Sequence, residues 1–146
     1  MFSESGVSLR VLPGPFWSQV AESLTDASWR VARESNRMGI RLHANITWQL
    51  PHDLPSSPVC PGTIQATASG QLLVLGVDGP TIGGYPRVGY VIQADWDILG
   101  QLRPEQTVCF VPITLEQAYR LARQLTEWRR QSTLRLLITA RTTTRS

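Results

Sequence analysis

Alternation of apolar and polar residues opens the chain. Val7, Leu9 and Val11 are separated by Ser8 and Arg10, the period of two that a half-buried strand needs, and Pro13-Gly14-Pro15 ends it abruptly. Behind Pro15, the residues Phe16, Val20 and Leu24 recur at helical spacing, which predicts a short amphipathic helix. The strand period returns at Trp29 and Val31, and again at Ile40, Leu42 and Ala44. Between His43 and Gly62 stand Pro51, Pro55, Pro58 and Pro61; each lacks a backbone donor, so a long ordered loop or flap is expected there. Ile64 to Thr67, a turn at Ser69-Gly70 and the largely apolar run Gln71 to Val77 predict a hairpin with a central, buried second strand. Val88 to Gln93 and Thr107 to Val111 supply further strands, with Gly100 and Pro104 marking turns between them.

The period changes at Thr114. Thr114 and Gln117 have capping-box spacing ahead of Ala118, Leu121, Ala122, Leu125 and Trp128, which predicts a helix. After it, Leu134, Leu136 and Ile138 alternate with Arg135, Leu137 and Thr139, the pattern of a closing strand, and residues 140–146 are expected to fray. Roughly seven or eight short strands with one or two helices predict a mainly β fold, a closed or nearly closed barrel capped by helices. Residues 1–146 are read as a single domain, since 146 residues with 42% apolar content suffice for one core and not for two.

Composition removes several chemistries. All 14 cationic residues are arginine. Without lysine the chain has no P-loop lysine, no Schiff base and no attachment point for biotin, so biotin would have to arrive on a partner. The net charge of +3 is concentrated after Leu115, where seven arginines face two acids. With no interleaved aromatic pattern, no nucleic-acid partner is expected. Cys60 and Cys109 lack CxxC spacing. His43 and His52 could join Cys60 around a metal, but they read as loop-surface histidines, and no metal is expected. Met1 to Ser8 show no basic segment leading into an apolar one, and the longest apolar run, Leu72 to Leu75, is far short of a membrane span. The chain is therefore expected to be soluble and cytoplasmic, without a membrane partner.

The most unusual segment is Asp78-Gly79-Pro80-Thr81-Ile82-Gly83-Gly84-Tyr85-Pro86-Arg87. Adjacent glycines let the backbone approach a ligand and aim N–H groups at an anion; they also suit a tight bend at a barrel corner. Thr81 adds a hydroxyl and Arg87 a guanidinium fork that fits carboxylate or phosphate. In Glu34 to Leu42, Ser35-Asn36 fits an ordinary turn, with Arg37 and Arg41 as solvated charges; alternatively Asn36 and Arg37 orient an amide or anion beside the glycine loop. Gln65, in Pro61-Gly62-Thr63-Ile64-Gln65, reads as a strand residue or a ligand contact. There is no GxSxG elbow, no HExxH and no carboxylate pair at motif spacing. Catalysis would rest on positioning, backbone donors and a bound cofactor or activated substrate.

Taken in order, Leu9-Arg10-Val11-Leu12-Pro13-Gly14-Pro15, Ser35 to Leu42, Pro61 to Gln65, Asp78 to Arg87 and Gln101-Leu102-Arg103-Pro104 resemble the carboxyltransferase family. That family includes urea amidolyase, the allophanate hydrolase subunit 2 domain, the C subunit of 5-oxoprolinase and the Kip antagonist. The resemblance implies a cyclophilin-like β-barrel and covers the second of the family's two related halves. It implies a subunit or fragment of an ATP-dependent amide or lactam hydrolase like the 5-oxoprolinase C subunit, opening 5-oxoproline to glutamate and not active alone. ATP would be shared with partners resembling the A and B subunits of 5-oxoprolinase, or the missing N-terminal half supplied by another chain. Two alternatives are a biotin-dependent carboxyltransferase acting on urea or a similar amide, and a non-catalytic regulatory module of the Kip antagonist type. Carried onto this sequence, the resemblance implies Gly83, Gly84, Thr81 and Asn36 as catalytic residues and Arg37, Gln65, Tyr85 and Arg87 as substrate contacts.

Overall fold

The computed structural model describes residues 6–143, in two compact units that divide between Ile113 and Thr114. In the first unit, the strands are β1 (Val7–Pro13), β2 (Trp29–Val31), β3 (Gly39–His43), β4 (Ser57–Pro58), β5 (Thr63–Ala66), β6 (Gln71–Leu75), β7 (Ile82–Gly83), β8 (Arg87–Val91) and β9 (Thr107–Pro112). Seven of them close a barrel in the order β1-β8-β5-β6-β3-β2-β9, while β4 and β7 pair separately as a two-stranded ribbon. Antiparallel pairing runs round the barrel until β9 meets β1 in parallel, with Val7 beside Val108 and Leu9 beside Phe110.

The alternation in the sequence is what fills the barrel. Leu9 and Val11 of β1, Leu42 of β3, Ile64 of β5, Leu72 and Val74 of β6, Val88 of β8 and Val108 of β9 are fully buried in one core. Trp29 stands in the middle, 5.8 Å from the ring of Trp48 and 6.4 Å from that of Phe110, and its indole N–H donates to Leu24 O at 3.1 Å. Leu24 belongs to the short helix α1 (Ala21–Asp26), which lies against β9; Trp17–Gln19 before it form a 3-10 turn, so the helix expected from Phe16 begins only at Ala21. The Pro-rich flap is anchored from within: the Trp48 indole donates to Thr67 O at 2.8 Å, beside the β5–β6 turn that Gly70 makes at a φ of +81°.

Two further segments differ from their expected form. The stretch after β8 is more than turns, because Trp96–Gly100 form a second short helix, α2. The expected closing strand at Leu134 to Ile138 is absent; these residues lie within α3 (Leu115–Thr143), the second compact unit. No glycine or proline occurs between Leu115 and Thr143, so nothing stops a helix once started. The consecutive Leu136-Leu137-Ile138 also breaks the alternation that suggested a strand. The helix likewise continues past the expected start of fraying at residue 140, while 144–146 lie outside the described residues. The capping box forms as predicted: Gln117 N–H donates to Thr114 Oγ1 at 3.2 Å, and Thr114 N–H donates back to Gln117 Oε1 at 2.9 Å.

One ion pair ties β1 to the segment leading into α2. Asp95 has 0% exposure and accepts the Arg10 backbone N–H at 2.7 Å, Arg10 Nε at 3.1 Å, and Arg10 Nη2. The hydrogen bond to Asp95 raises the already high pKa of the guanidinium. Removing one partner from such a pair strands a buried charge. Arg10→Ala is therefore expected to lower the unfolding free energy by about 3 kcal/mol in urea denaturation. Arg33→Ala, which loses only the exposed contact to Glu105, should change it by less than about 1 kcal/mol.

Candidate functional site

Along β5, side-chain alternation turns Ile64 and Ala66 into the barrel and Thr63 and Gln65 outward. Outward residues on a barrel wall ordinarily meet water, yet Thr63 is 0% and Gln65 2% exposed. Thr63 Oγ1 accepts the Cys60 N–H at 3.2 Å, and Gln65 is covered by the β4–β7 ribbon. Ser57 pairs with Gly83 and Pro58 with Ile82, and Val59 N–H donates to Thr81 O at 2.9 Å. Gly83 presses so close that a Cβ built on it would stand 2.4 Å from Gln65 Nε2. Within this seal, Gln65 Nε2 has no hydrogen-bond partner. An unmet buried donor costs about 1–3 kcal/mol.

Arg87 is the strand neighbour of Gln65 across the β5–β8 pairing, next to a register shift between Ile64 and Gln65. It is half-buried, and its Nη1 reaches Pro58 O of the ribbon at 3.4 Å. The end of the glycine loop is fastened by Ala66 N–H donating to Pro86 O at 3.0 Å. Gly84 faces the flap, where its Cβ position would meet Leu54 O at 3.4 Å. The structure thus gathers Gln65, Gly83, Gly84 and Arg87 beneath and beside the ribbon. Thr81 and Tyr85 belong to the same loop but are exposed.

Asn36 and Arg37 lie elsewhere. Asn36 Oδ1 accepts the Met38 N–H at 2.9 Å, and the Asn36 and Gly39 backbones exchange bonds at 3.1 Å, a tight turn into β3. The turn rests on the end of β6: Gly76 N–H donates to Met38 O at 3.1 Å, and a Cβ on Gly76 would fall 2.2 Å from Arg37 O. Arg37 Nε pairs with Asp78 Oδ2 at 2.8 Å, both groups being well exposed. Ser35, Asn36 and Arg37 line a cavity of about 430 Å³ whose walls include Ile40, Leu75, Trp96, Leu99 and Leu102. Gln65, Gly83, Gly84 and Arg87 take no part in that lining.

The glycine loop therefore connects two separate clusters, touching Arg37 through Asp78 at its start and Gln65 through Gly83 further on. Sequence reasoning missed the α2 wall of the cavity, whose signal was Trp96 and Leu99 at helical spacing. It also missed the role of Ser57 to Val59 as the strand that holds the glycine loop down. Among the described residues, no three or more His, Cys, Asp or Glu side chains are grouped to hold a metal ion, and no helix is long and apolar enough to cross a membrane.

With this geometry in place, comparison with known proteins is informative. Residues 2–112 match the family described as carboxyltransferase domain, subdomain A and B. The C subunit of Escherichia coli 5-oxoprolinase is 39% identical over 124 residues, which cover 82% of this chain and 40% of that protein. Urea amidolyase of Lachancea kluyveri is 29% identical over 128 residues, 79% of this chain and 7% of that protein. Among solved structures, Kluyveromyces lactis urea carboxylase superposes with a TM-score of 0.73 at 27% identity, over 86% of this chain and 12% of that one. The chain thus spans about two fifths of the length of the bacterial relative.

If the ribbon seals Gln65, then Gly83 and Gln65 must be energetically coupled. Gly83→Ala is expected to destabilise the native protein but to cost little in a Gln65→Ala background. In a double-mutant cycle followed by thermal denaturation, the coupling should be about 1 kcal/mol.

Proposed function

The chain belongs to the carboxyltransferase domain family, and on that footing we propose that it forms part of an ATP-dependent amide or lactam hydrolase. The reaction it most resembles is the opening of 5-oxoproline to glutamate. One observation carries this reading: a buried, unpaired amide donor, Gln65 Nε2, lies beneath a glycine loop and beside an arginine on the adjoining strand. When the ribbon lifts, Gln65 donates to the carbonyl oxygen of the substrate amide and Arg87 holds its carboxylate by a two-pronged hydrogen bond. Gly83 and Gly84 admit the substrate closely and contribute backbone donors as charge develops on that oxygen. Thr81 and Tyr85, exposed on the same loop, are available to orient the substrate. Asn36 and Arg37 belong to the separate cavity; in this reading Arg37 holds the start of the loop through Asp78, and Asn36 shapes the turn that carries it.

ATP is assigned to the partner subunits or to the first half of the family's longer members. The donors near the ribbon suit a small anion. When bound there, ATP would supply the driving force for opening a stable lactam. The likeness to urea carboxylase supports a second reading. The same donors could hold urea or a similar amide for carboxyl transfer, with biotin carried by a partner because this chain has no lysine.

The test is 5-oxoproline-dependent ATP hydrolysis with partners resembling the A and B subunits of 5-oxoprolinase supplied. Gln65→Met and Arg87→Ala are each expected to reduce turnover on the order of a hundredfold. Gln65→Met should nevertheless unfold at the same or a higher temperature, because it removes an unmet donor. Unchanged turnover in both variants sinks the site assignment, and turnover only with urea and a biotinylated carrier selects the second reading.

A further inference from the structure

The cavity between the Asn36 turn and α2 has a chemistry of its own. Its volume of about 430 Å³ falls in the range of small-molecule sites. Ile40, Leu75, Leu99 and Leu102 give it aliphatic walls, and Trp96 adds a flat aromatic one. The Trp96 indole N–H is already satisfied by Val91 O at 3.1 Å, so what the ring offers a ligand is its apolar surface. Ser35 Oγ is likewise engaged, accepting the Arg41 N–H at 2.9 Å. Among the residues lining the cavity, Arg37 is the charged one; the Asp78 carboxylate that pairs with it is not part of the lining.

Arg37 stands at the mouth, with its side chain 81% exposed, and meets Asp78 through Nε. That geometry leaves the two terminal nitrogens, the edge with which a guanidinium grips a carboxylate in a two-pronged bond. The amide of Asn36 is beside it on the same turn, with its oxygen turned back to Met38 N–H. The lining offers a cation no carboxylate. A phosphate ester would bring a double charge to a single arginine and a polar body to an apolar chamber. A neutral apolar ligand would make no use of the arginine.

We propose that this cavity binds a small monocarboxylic acid with a flat or short-chain apolar body, the body packed between Trp96 and the leucines and the carboxylate held by Arg37. The site is distinct from the Gln65 and Arg87 cluster, and the proposal does not rest on the hydrolase reading. A polar lactam acid is a poor match for these walls, whereas an aryl-alkanoate fills them.

The full chain is titrated with 3-phenylpropionate and, in parallel, with its neutral amide, while the indole N–H resonances are followed by two-dimensional NMR. The Trp96 resonance is assigned from a Trp96→Phe variant. The acid is expected to shift the Trp96 signal saturably. Binding should weaken about tenfold or more, the worth of a charge-assisted hydrogen bond, both for the amide and in Arg37→Gln. Because Arg37 is exposed, that variant keeps its fold, which its unchanged remaining spectrum will verify. Equal binding of acid and amide, undiminished binding by Arg37→Gln, or no Trp96 shift overturns the proposal. So does displacement of the probe when the preceding half of a longer relative is added, since the cavity would then be a socket for a protein side chain.

Discussion

Closure of the barrel is the constraint from which everything else follows. Once the parallel pairing of β1 with β9 seals the seven-stranded sheet, every strand has an inner face that belongs to the core and an outer face that does not. Trp29, Phe110 and the branched aliphatic residues fill the interior. Functional groups are left to the outer wall and the rims. Both candidate clusters obey this rule: Gln65 and Arg87 are outer-wall residues of β5 and β8, and the Asn36 turn lies at a rim, where β3 begins and β6 ends.

The wall site exists because a second layer covers it. The ribbon of β4 and β7 is short, yet each strand is held from outside the pair. The flap that supplies β4 is anchored by Trp48 on Thr67, and the glycine loop that supplies β7 is fastened at its end by Pro86 O. Proline fits β4 because the Pro58 carbonyl, which it retains, is the group that meets Arg87. A small residue at 83 is a matter of space, since the ribbon can close only if nothing stands between it and the Gln65 amide. The unpaired donor beneath it is a local cost of the kind that functional sites tend to carry.

The rim site depends on a different long-range connection. Arg10 on β1 holds Asp95, and Asp95 immediately precedes α2, whose Trp96 and Leu99 form a wall of the cavity. The buried ion pair thus positions a surface for binding as well as closing the fold. The glycine loop joins this rim to the wall site. A residue can therefore influence one cluster while belonging to the other, and Arg37 does so through its contact with Asp78.

Local pattern is enough to specify the strands of the barrel, because each needs an apolar face and writes it as a period of two. It is enough for the start of α3, because a capping box is complete within four residues. Ordered motifs also carry the family, which the match over residues 2–112 bears out. The extent of α3 is not legible at Leu134 to Ile138, where a brief alternation cannot be told from one side of a long helix. Only the assembled fold reveals that Gln65 is buried, that its neighbour is Gly83, and that Asn36 and Arg37 belong to a different cluster from both. The physical reason is distance along the chain. A side chain's own face preference is local, but whether an outward face meets water or a covering ribbon depends on segments remote in sequence, here Ser57 to Val59 and Thr81 to Gly83.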